Sequence, residues 1–264
     1  MKKWFLFIIL AAMLTACSRP AESPQTDPIP VSSPAESTPQ VVIPEETTPV
    51  ETQPTAPPHS ELYIPGLSVE DVILYFNEVC LDAEIINSGD PSRLQKWEAP
   101  ISYFIHGNPT GEDLETLESF VTFLNTIEGF PGMCETNDPF DANLDIHFCG
   151  QEEMLNVMGP NFTGMDGAVT FWYEYDVIYD AVICYRTDLD QYLRNSVILE
   201  EVYNGLGPIQ DTSLRPDSII YSEFSQPQVL TEVDKLILRL LYNPEMKCGM
   251  NASTVEEIIR KLYY

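Results

Sequence analysis

The chain has 264 residues, of which 41 are acidic and 13 are Lys or Arg, so its formal net charge is −28. This balance excludes a general nucleic-acid binder, which needs a basic face, and it favours cationic partners, including divalent ions held on carboxylates. The first quarter of the chain is too polar and too rich in proline to be globular. The remaining ~200 residues can bury one good core, as a single two-lobed domain or as two small ones.

The first 17 residues have the pattern of an export signal. Lys2 and Lys3 precede an apolar run over residues 4–14, which is short for a membrane span. Residues 14–17, Leu-Thr-Ala-Cys, resemble a bacterial lipobox. The resemblance implies that Cys17 becomes the lipidated first residue of the mature protein, bearing a diacylglycerol and palmitate. The chain is then expected at the cell membrane, anchored in the lipid bilayer and facing the extracytoplasmic side. A plain signal peptide and a transmembrane anchor are the alternatives.

Residues 18–62 are predicted to form a disordered tether. They are rich in Pro, Ser, Thr and Glu, and Arg19 is their only Lys or Arg. Such a segment cannot bury enough apolar surface to offset its ordering entropy. Proline-rich chains favour an extended form of about 3.1 Å per residue, so the tether could reach on the order of 100 Å. The globular domain is expected over residues 63–264.

Strand and helix patterns alternate along this domain. Capping boxes at Ser68 and Thr110 predict the first two helices, the second ending at Gly129. Strands are expected at residues 97–106, 143–149, 167–175 and 177–186, and further helices at residues 151–158, 231–242 and 253–262. The strand, helix and strand between residues 97 and 149 favour a parallel pair with a right-handed crossover. The predicted fold class is therefore α/β (α+β), with a mixed sheet.

The stretch of residues 198–211 is the most informative part of the chain. Its periodicity predicts an amphipathic helix with Asp188 or Asp190 as the N-terminal cap. Gly205 and Gly207 would end this helix, and Pro208 would prevent it from continuing.

The same stretch resembles the zinc-peptidase pattern H-E-x-x-H-x-x-G-x-x-H/D. Glu201 falls on the general base and Gly207 on the glycine, whereas Glu200, Asn204 and Gln210 fall on the three metal positions. A catalytic zinc site needs three good protein ligands and one open position, and Asn and Gln amides are poor zinc ligands. The resemblance therefore implies a degenerate metzincin-like domain, for which no metal and no cofactor are predicted.

The residues that follow extend the resemblance. Ile220 falls on the methionine of the metzincin Met-turn, Tyr221 on the tyrosine after it, and residues 230–242 resemble the closing helix. The chain is also similar to the bacterial family called domain of unknown function 2927. The residues that carry this similarity are Glu200, Glu201, Leu206, Gly207, Asp211, Ser218, Ile219, Leu230, Thr231, Asp234, Leu238, Arg239, Leu241, Tyr242, Pro244, Gly249 and Met250.

The chain departs from that family's signature at Val202, Asn204, Pro208, Ile237, Asn243, Glu245, Met246 and Cys248. The resemblance implies a zincin-like fold: a twisted mixed sheet with helices in the N-lobe, a central helix of the active-site type, and a helix-rich C-terminal part. It brings no settled activity.

The function expected from these resemblances is that of a surface-tethered bacterial lipoprotein with an inactive, peptidase-like domain. Its cleft is expected to bind a peptide or protein partner at the cell envelope. The alternative is an envelope hydrolase, peptidase or glycan-cleaving, with Glu201 as general base and Glu200 and Tyr221 as further candidate catalytic residues. A glycan reaction would need two carboxylates about 5–10 Å apart.

Three other groups of residues have two interpretations each. His106 and His147, near strand ends, are metal ligands or ordinary polar-face histidines. Asp138, Asp141 and Asp145 could hold calcium or form a solvated acidic loop. The cysteines besides Cys17 could form up to two disulfides with one free thiol, or serve as small buried hydrophobes; they are Cys80, Cys134, Cys149, Cys184 and Cys248.

Overall fold

The computed structural model describes residues 60–81, 93–222 and 227–263. Within these ranges it contains six α-helices: α1 Val69–Leu81, α2 Gly111–Leu124, α3 Gln151–Met158, α4 Gln191–Gly205, α5 Glu232–Leu241 and α6 Ala252–Tyr263. The six strands are β1 Lys96–Trp97, β2 Ile101–Gly107, β3 Met133–Glu135, β4 Leu144–Cys149, β5 Gly167–Glu174 and β6 Val177–Arg186. The predicted signal segment, Cys17 and almost all of the predicted tether lie outside the described residues. No helix in the described part is long and apolar enough to cross a membrane.

The strands form one mostly parallel sheet that is built around β6. β4 pairs in parallel with β6, β2 with β4, and β3 with β2. β5 is antiparallel to β6 and pairs along almost all of it, while the short β1 pairs with the first residues of β6. Because β5 occupies one edge of β6, β1 and β4 must share the other edge. The mixed α/β fold is therefore confirmed, including the parallel pairing of the strands before and after α2.

The helix α4 is the central element of the core. Ile198, Val202, Tyr203 and Leu206 are all buried in the main hydrophobic cluster with side chains from the sheet and from α1, α5 and α6. Asp190 caps its N-terminus by accepting a hydrogen bond from the backbone N–H of Leu193. Of the two capping residues that the sequence leaves open, the structure therefore selects Asp190.

The other capping predictions are confirmed, since Thr110 and Asp113 form a complete capping box on α2, and Ser68 Oγ accepts from the backbone N–H of Asp71 at the start of α1. The structure adds a third case, in which Thr231 forms a capping box with Asp234 on α5. In each box the threonine hydroxyl accepts from the backbone N–H three residues on, and the aspartate accepts from the threonine N–H.

Two boundaries predicted from the sequence are wrong. The strand expected at residues 97–106 is divided into β1 and β2 by residues 98–100, which end in a proline that cannot donate to a ladder. The helix expected to end at Gly129 ends at Leu124. The next side chain, Asn125, accepts a hydrogen bond from the N–H of Met133 and donates one to its carbonyl, both at 2.9 Å. The strand β3, which begins at Met133, has no signal in the sequence.

The five described cysteines are free thiols. Cys80, Cys149 and Cys184 are buried, Cys248 is half-buried and Cys134 is exposed. Cys149 and Cys184 pack in a second, smaller cluster with Met154 and Phe162 under α3. For these thiols the structure favours the small-hydrophobe interpretation over a disulfide framework.

A buried polar network joins the N-termini of α2 and α4. The Asp113 carboxylate is fully buried and accepts from Arg194, from Gln191 Nε2 at 2.6 Å and from the backbone N–H of Thr110 at 2.7 Å. Asn195 donates to Glu112 at 2.9 Å beside it. A buried ion pair contributes little by itself, but loss of one partner leaves an uncompensated charge.

Substitution of Asp113 by Asn should therefore lower the free energy of unfolding by about 3–5 kcal/mol, because the Arg194 guanidinium stays buried without its carboxylate. Urea unfolding followed by circular dichroism measures the change. The matched control is Glu118→Gln, an exposed carboxyl on the same helix, which should stay within about 0.5 kcal/mol of wild type. A loss for D113N as small as the control's would show that the network does not join the two helices.

Candidate functional site

The candidate site lies where α4 meets the start of β5. Glu201 is 7% exposed and its side chain contacts the backbone of Gly167, the first residue of β5. A Cβ at Gly167 would lie 2.4 Å from Val197 Cγ1 and 2.8 Å from Glu201 Cγ. Only glycine therefore allows the strand to approach the helix this closely, and Glu201 faces the sheet rather than solvent.

Two further carboxyl groups, Glu200 and Asp211, act on Glu201, and a third, Asp166, acts on Glu200. Burial raises the pKa of Glu201 well above its usual range, and Glu200 and Asp211 raise it further. Burial likewise raises the pKa of Glu200 to about 8, with Asp211 and Asp166 adding to the shift. Burial also raises the pKa of Asp166, although Arg186, with Nη1 3.3 Å from Asp166 Oδ1, opposes this. Burial and the neighbouring carboxyl groups therefore both favour the protonated forms of Glu201 and Glu200.

Three residues fall on the metal positions in the zinc-peptidase resemblance, and Glu200 and Asn204 lie one turn apart on one face of α4. Glu200, Asn204 and Gln210 are each half-buried. Within the residues that the structure describes, no three His, Cys, Asp or Glu side chains are placed to hold a metal ion. The Asn204 Oδ1 atom is buried and has no hydrogen-bond donor among the described residues. The Gln210 N–H donates to Val79 O at 3.3 Å, so its backbone is held by α1.

The turn at residues 218–221 is held by Asp234. Ser218 donates to Asp234 Oδ1 at 2.7 Å, and the Tyr75 hydroxyl lies 2.8 Å from Ser218 Oγ. Ile220 is fully buried in the main core. Tyr221 is half-buried and forms an isolated parallel bridge with Thr212, which brings it next to the segment that carries Asp211. Of the sequence-predicted site residues, Glu200 and Glu201 are thus grouped with Asp211, with Tyr221 adjacent.

The C-terminal end of α4 is closed by side chains from distant parts of the chain. Trp97 Nε1 donates to Gly205 O at 2.9 Å, and the Tyr242 hydroxyl donates to Leu206 O at 2.8 Å. Gly207 follows with φ +128, and a Cβ there would lie 2.5 Å from Gln95 O. These contacts satisfy carbonyl groups that a helix end would otherwise leave unpaired.

The strand beside α4 has an open edge. Of the described strands, only β6 pairs with β5, and it does so along one edge of residues 167–174. The other edge of β5 presents backbone N–H and C=O groups, which can pair with a further extended chain. Asp166 directly precedes β5 and Glu201 lies against its first residue, Gly167, so the acidic group begins beside the N-terminal end of this strand.

The two histidines lie elsewhere. His106 and His147 are register partners on β2 and β4, with rings stacked at a centroid distance of 4.1 Å. Their neighbours Ile105 and Ile146 pack in or against the main core, so by alternation the histidines project from the opposite face of the sheet. His106 Nε2 lies 2.7 Å from Asp145 Oδ1. Burial lowers the pKa of His147, and His106 lowers it further.

The aspartates of the proposed calcium loop do not converge. Asp138 Oδ1 accepts from the backbone N–H of Phe140 at 2.9 Å, within a local turn that also includes Asp141. Asp145 pairs instead with His106. This favours the solvated-loop interpretation.

Sequence reasoning missed Asp166. It precedes β5 by one residue and is far from α4 in sequence. No periodicity or motif connects the two segments, so only the packing of β5 on α4 reveals it.

Comparison with known proteins gives one result. The family model described as "Protein of unknown function (DUF2927)" matches residues 70–261, a range that contains α4, the turn at residues 218–221 and α5. No curated protein matches the chain.

The buried carboxyl groups make stability depend on pH. The pKa of Glu201 is higher in the folded protein than in the unfolded chain, where it is about 4.3. Protonated Glu201 therefore contributes fully to the free energy of unfolding below about pH 4.3. This contribution is lost as the pH rises towards the pKa of the folded state. Glu201→Gln removes this loss, so the variant should gain stability over wild type between pH 5 and 8, by up to about 1.4 kcal/mol per pH unit.

Urea unfolding of both proteins at several pH values measures this difference. Glu174→Gln on β5 replaces an exposed carboxyl and serves as the control. A difference between E201Q and wild type that stays constant with pH, or that shrinks as pH rises, would contradict the burial of an uncharged carboxyl at this position.

Proposed function

The chain belongs to the DUF2927 family, and on that premise we propose that it is a surface-tethered lipoprotein whose zincin-like domain holds an extended peptide beside α4. The peptide belongs to a partner at the cell envelope, and binding occurs without zinc chemistry. The observation that carries this proposal is the edge of β5 that no described strand pairs with, beside a group of carboxyl side chains that includes no histidine.

The order of the elements supports a zincin-like plan. A mixed sheet with helices comes first, α4 follows the last strand directly, and the remainder is helical. Glu201 faces the sheet from α4, where the general base of such a domain would lie. The buried Ile220 lies on a turn that corresponds to the Met-turn.

The chemistry of the site supports binding over catalysis. A general base must be ionised near the working pH, whereas burial raises the pKa of Glu201 well above its usual range. Without a metal ion to acidify water, such a carboxyl also lacks its catalytic partner. The Glu201 carboxyl can still accept hydrogen bonds from a bound chain or donate one to it.

The open edge of β5 suggests how the peptide is held. An extended peptide can add a strand to an exposed sheet edge, where backbone hydrogen bonds provide affinity and side-chain pockets provide specificity. In the acidic group beside this strand, Asp211 is exposed and Glu200 half-buried. A Lys or Arg side chain on the peptide would pair with the exposed Asp211 carboxylate, and we therefore assign the site a basic, extended peptide.

In this proposal, the lipid anchor determines where in the cell the site is located. Cys17 and the tether lie outside the described residues, and their roles rest on the lipobox resemblance and on composition. A tether with a reach on the order of 100 Å would hold the domain away from the membrane surface, where extended segments of envelope proteins are accessible.

The substitution Asp211→Asn tests this assignment. It should weaken the binding of extended peptides that carry one Lys or Arg by about two- to fivefold, because a largely exposed charge contributes about 0.2–1 kcal/mol. Binding to peptides that carry Gln instead should not change. Calorimetry with a panel of both peptide types measures the affinities, and chemical-shift changes of the β5 amides show where the peptides bind.

The control for this experiment is Glu118→Gln, which removes an exposed charge on α2. Peptide binding that leaves the β5 amides unperturbed would refute strand addition. Stoichiometric zinc bound at α4 in the purified protein would refute the absence of zinc chemistry.

A second candidate function is hydrolysis of an envelope peptide or glycan by the same carboxyl groups. It is favoured by the raised pKa of Glu200, about 8, which would suit a general acid at neutral pH. Any hydrolytic activity of the purified protein should then fall by at least about 100-fold in Glu201→Gln or Glu200→Gln. Activity that survives both substitutions would exclude this function.

A further inference from the structure

A second concave surface lies on the other side of α4 from the acidic group. It is a groove of about 660 Å³ between α2, the segment at residues 228–230 and the first turn of α5. Leu199 of α4 lines it, whereas Glu201 points about 200° away around the same helix. The groove is therefore separate from the candidate site at β5.

The floor of the groove is apolar. Phe120, Leu199 and Leu230 are buried beneath it, and Phe123 is half-buried at its side. Val229 stands in the wall with 71% of its surface exposed. A volume of this size accommodates one or two large apolar side chains.

The rim of the groove is acidic. Glu112 and Glu115 of α2 are exposed along one side. Lys235 is the basic residue of the lining, and its Nζ lies 2.7 Å from Glu232 Oε1, so its charge is already paired. Lys235 and Arg239 also lie 6.0 and 5.5 Å from the centre of the Phe123 ring, which shows that this ring accepts cations at its face.

We propose that this groove binds a cationic amphipathic helix of a partner protein. One or two apolar side chains of that helix fill the floor against Phe120, Leu199 and Leu230. Its Lys or Arg side chains reach Glu112 and Glu115 at the rim. This is the helix-in-groove mode of recognition, in which apolar residues at positions i, i+3, i+4 and i+7 supply the anchors.

Charge selects this occupant over the other chains that could cover the groove. A second copy of a chain with 41 acidic and 13 basic residues would place like charges opposite the rim, which is unfavourable. The chain's own residues 18–62 contain Arg19 as their single Lys or Arg. An anionic membrane surface would be repelled by the same rim.

The experiment uses the full-length protein and a synthetic Lys/Leu peptide with leucines at positions i, i+3, i+4 and i+7, at about 0.15 M salt to screen long-range attraction. Glu115→Lys should weaken binding about fivefold through the rim. Val229→Asp should weaken it about tenfold by placing a charge against the apolar anchor. Both positions are exposed, and circular dichroism with urea unfolding verifies that the variants fold.

Matched controls separate the groove from general attraction to an acidic protein. Glu118→Lys repeats the charge change of Glu115→Lys on α2 but outside the groove. Val157→Asp repeats the substitution of Val229→Asp at an exposed position on α3. Neither should alter affinity by more than about twofold. Equal losses in Glu115→Lys and Glu118→Lys would overturn the proposal.

Three other outcomes would also overturn it. Val229→Asp could abolish self-association of the protein, which would assign the groove to a second copy. Zwitterionic vesicles could bind in place of the peptide, which would assign it to a membrane. If Glu115→Lys and Val229→Asp both bound the peptide as tightly as wild type, the groove would not be the binding site. Asp211→Asn should not change the affinity for this peptide, so the experiments test the proposal for the groove and the proposal for the β5 edge independently.

Discussion

The fold depends on the burial of most of α4 from Arg194 onwards. The C-terminal end of the helix is buried, so its unpaired C=O groups must be satisfied by protein, because water cannot reach them. Trp97 and Tyr242 do this, whereas Asp190 caps the exposed N-terminus. Lys96 extends the arrangement by donating to Leu241 O and Met246 O at the end of α5. The sheet, α4 and α5 are thereby fixed to one another by hydrogen bonds that no other partners could replace.

This arrangement gives structural roles to several residues that carry the family resemblance. Tyr242 closes α4, and Gly249 and Met250 exchange backbone hydrogen bonds with Leu94 at 2.9 Å. Asp234 caps α5 and fastens the turn at Ser218. These contacts fix the position of α4 independently of the chemistry at Glu200 and Glu201.

Burial also determines the electrostatics of the site. The carboxyl group of Glu201 lies where α4 meets β5, and desolvation with repulsion from Glu200 and Asp211 raises its pKa. The outer carboxylates of Asp211 and Glu115 remain exposed, which is why cationic chains are the partners proposed for both surfaces.

The sequence by itself determined the elements whose signals are local. The helix starts at Ser68 and Thr110, together with α3 and β6, follow from hydrogen bonds and periodicity within a few residues, and the family resemblance follows from spacing around Glu201. Tertiary structure alone decided the register of β3, the division of β1 from β2, and the approach of Asp166 to α4. Those features depend on contacts between residues far apart in the chain. Which groups meet there, and how far they are removed from water, is fixed only when the whole core packs.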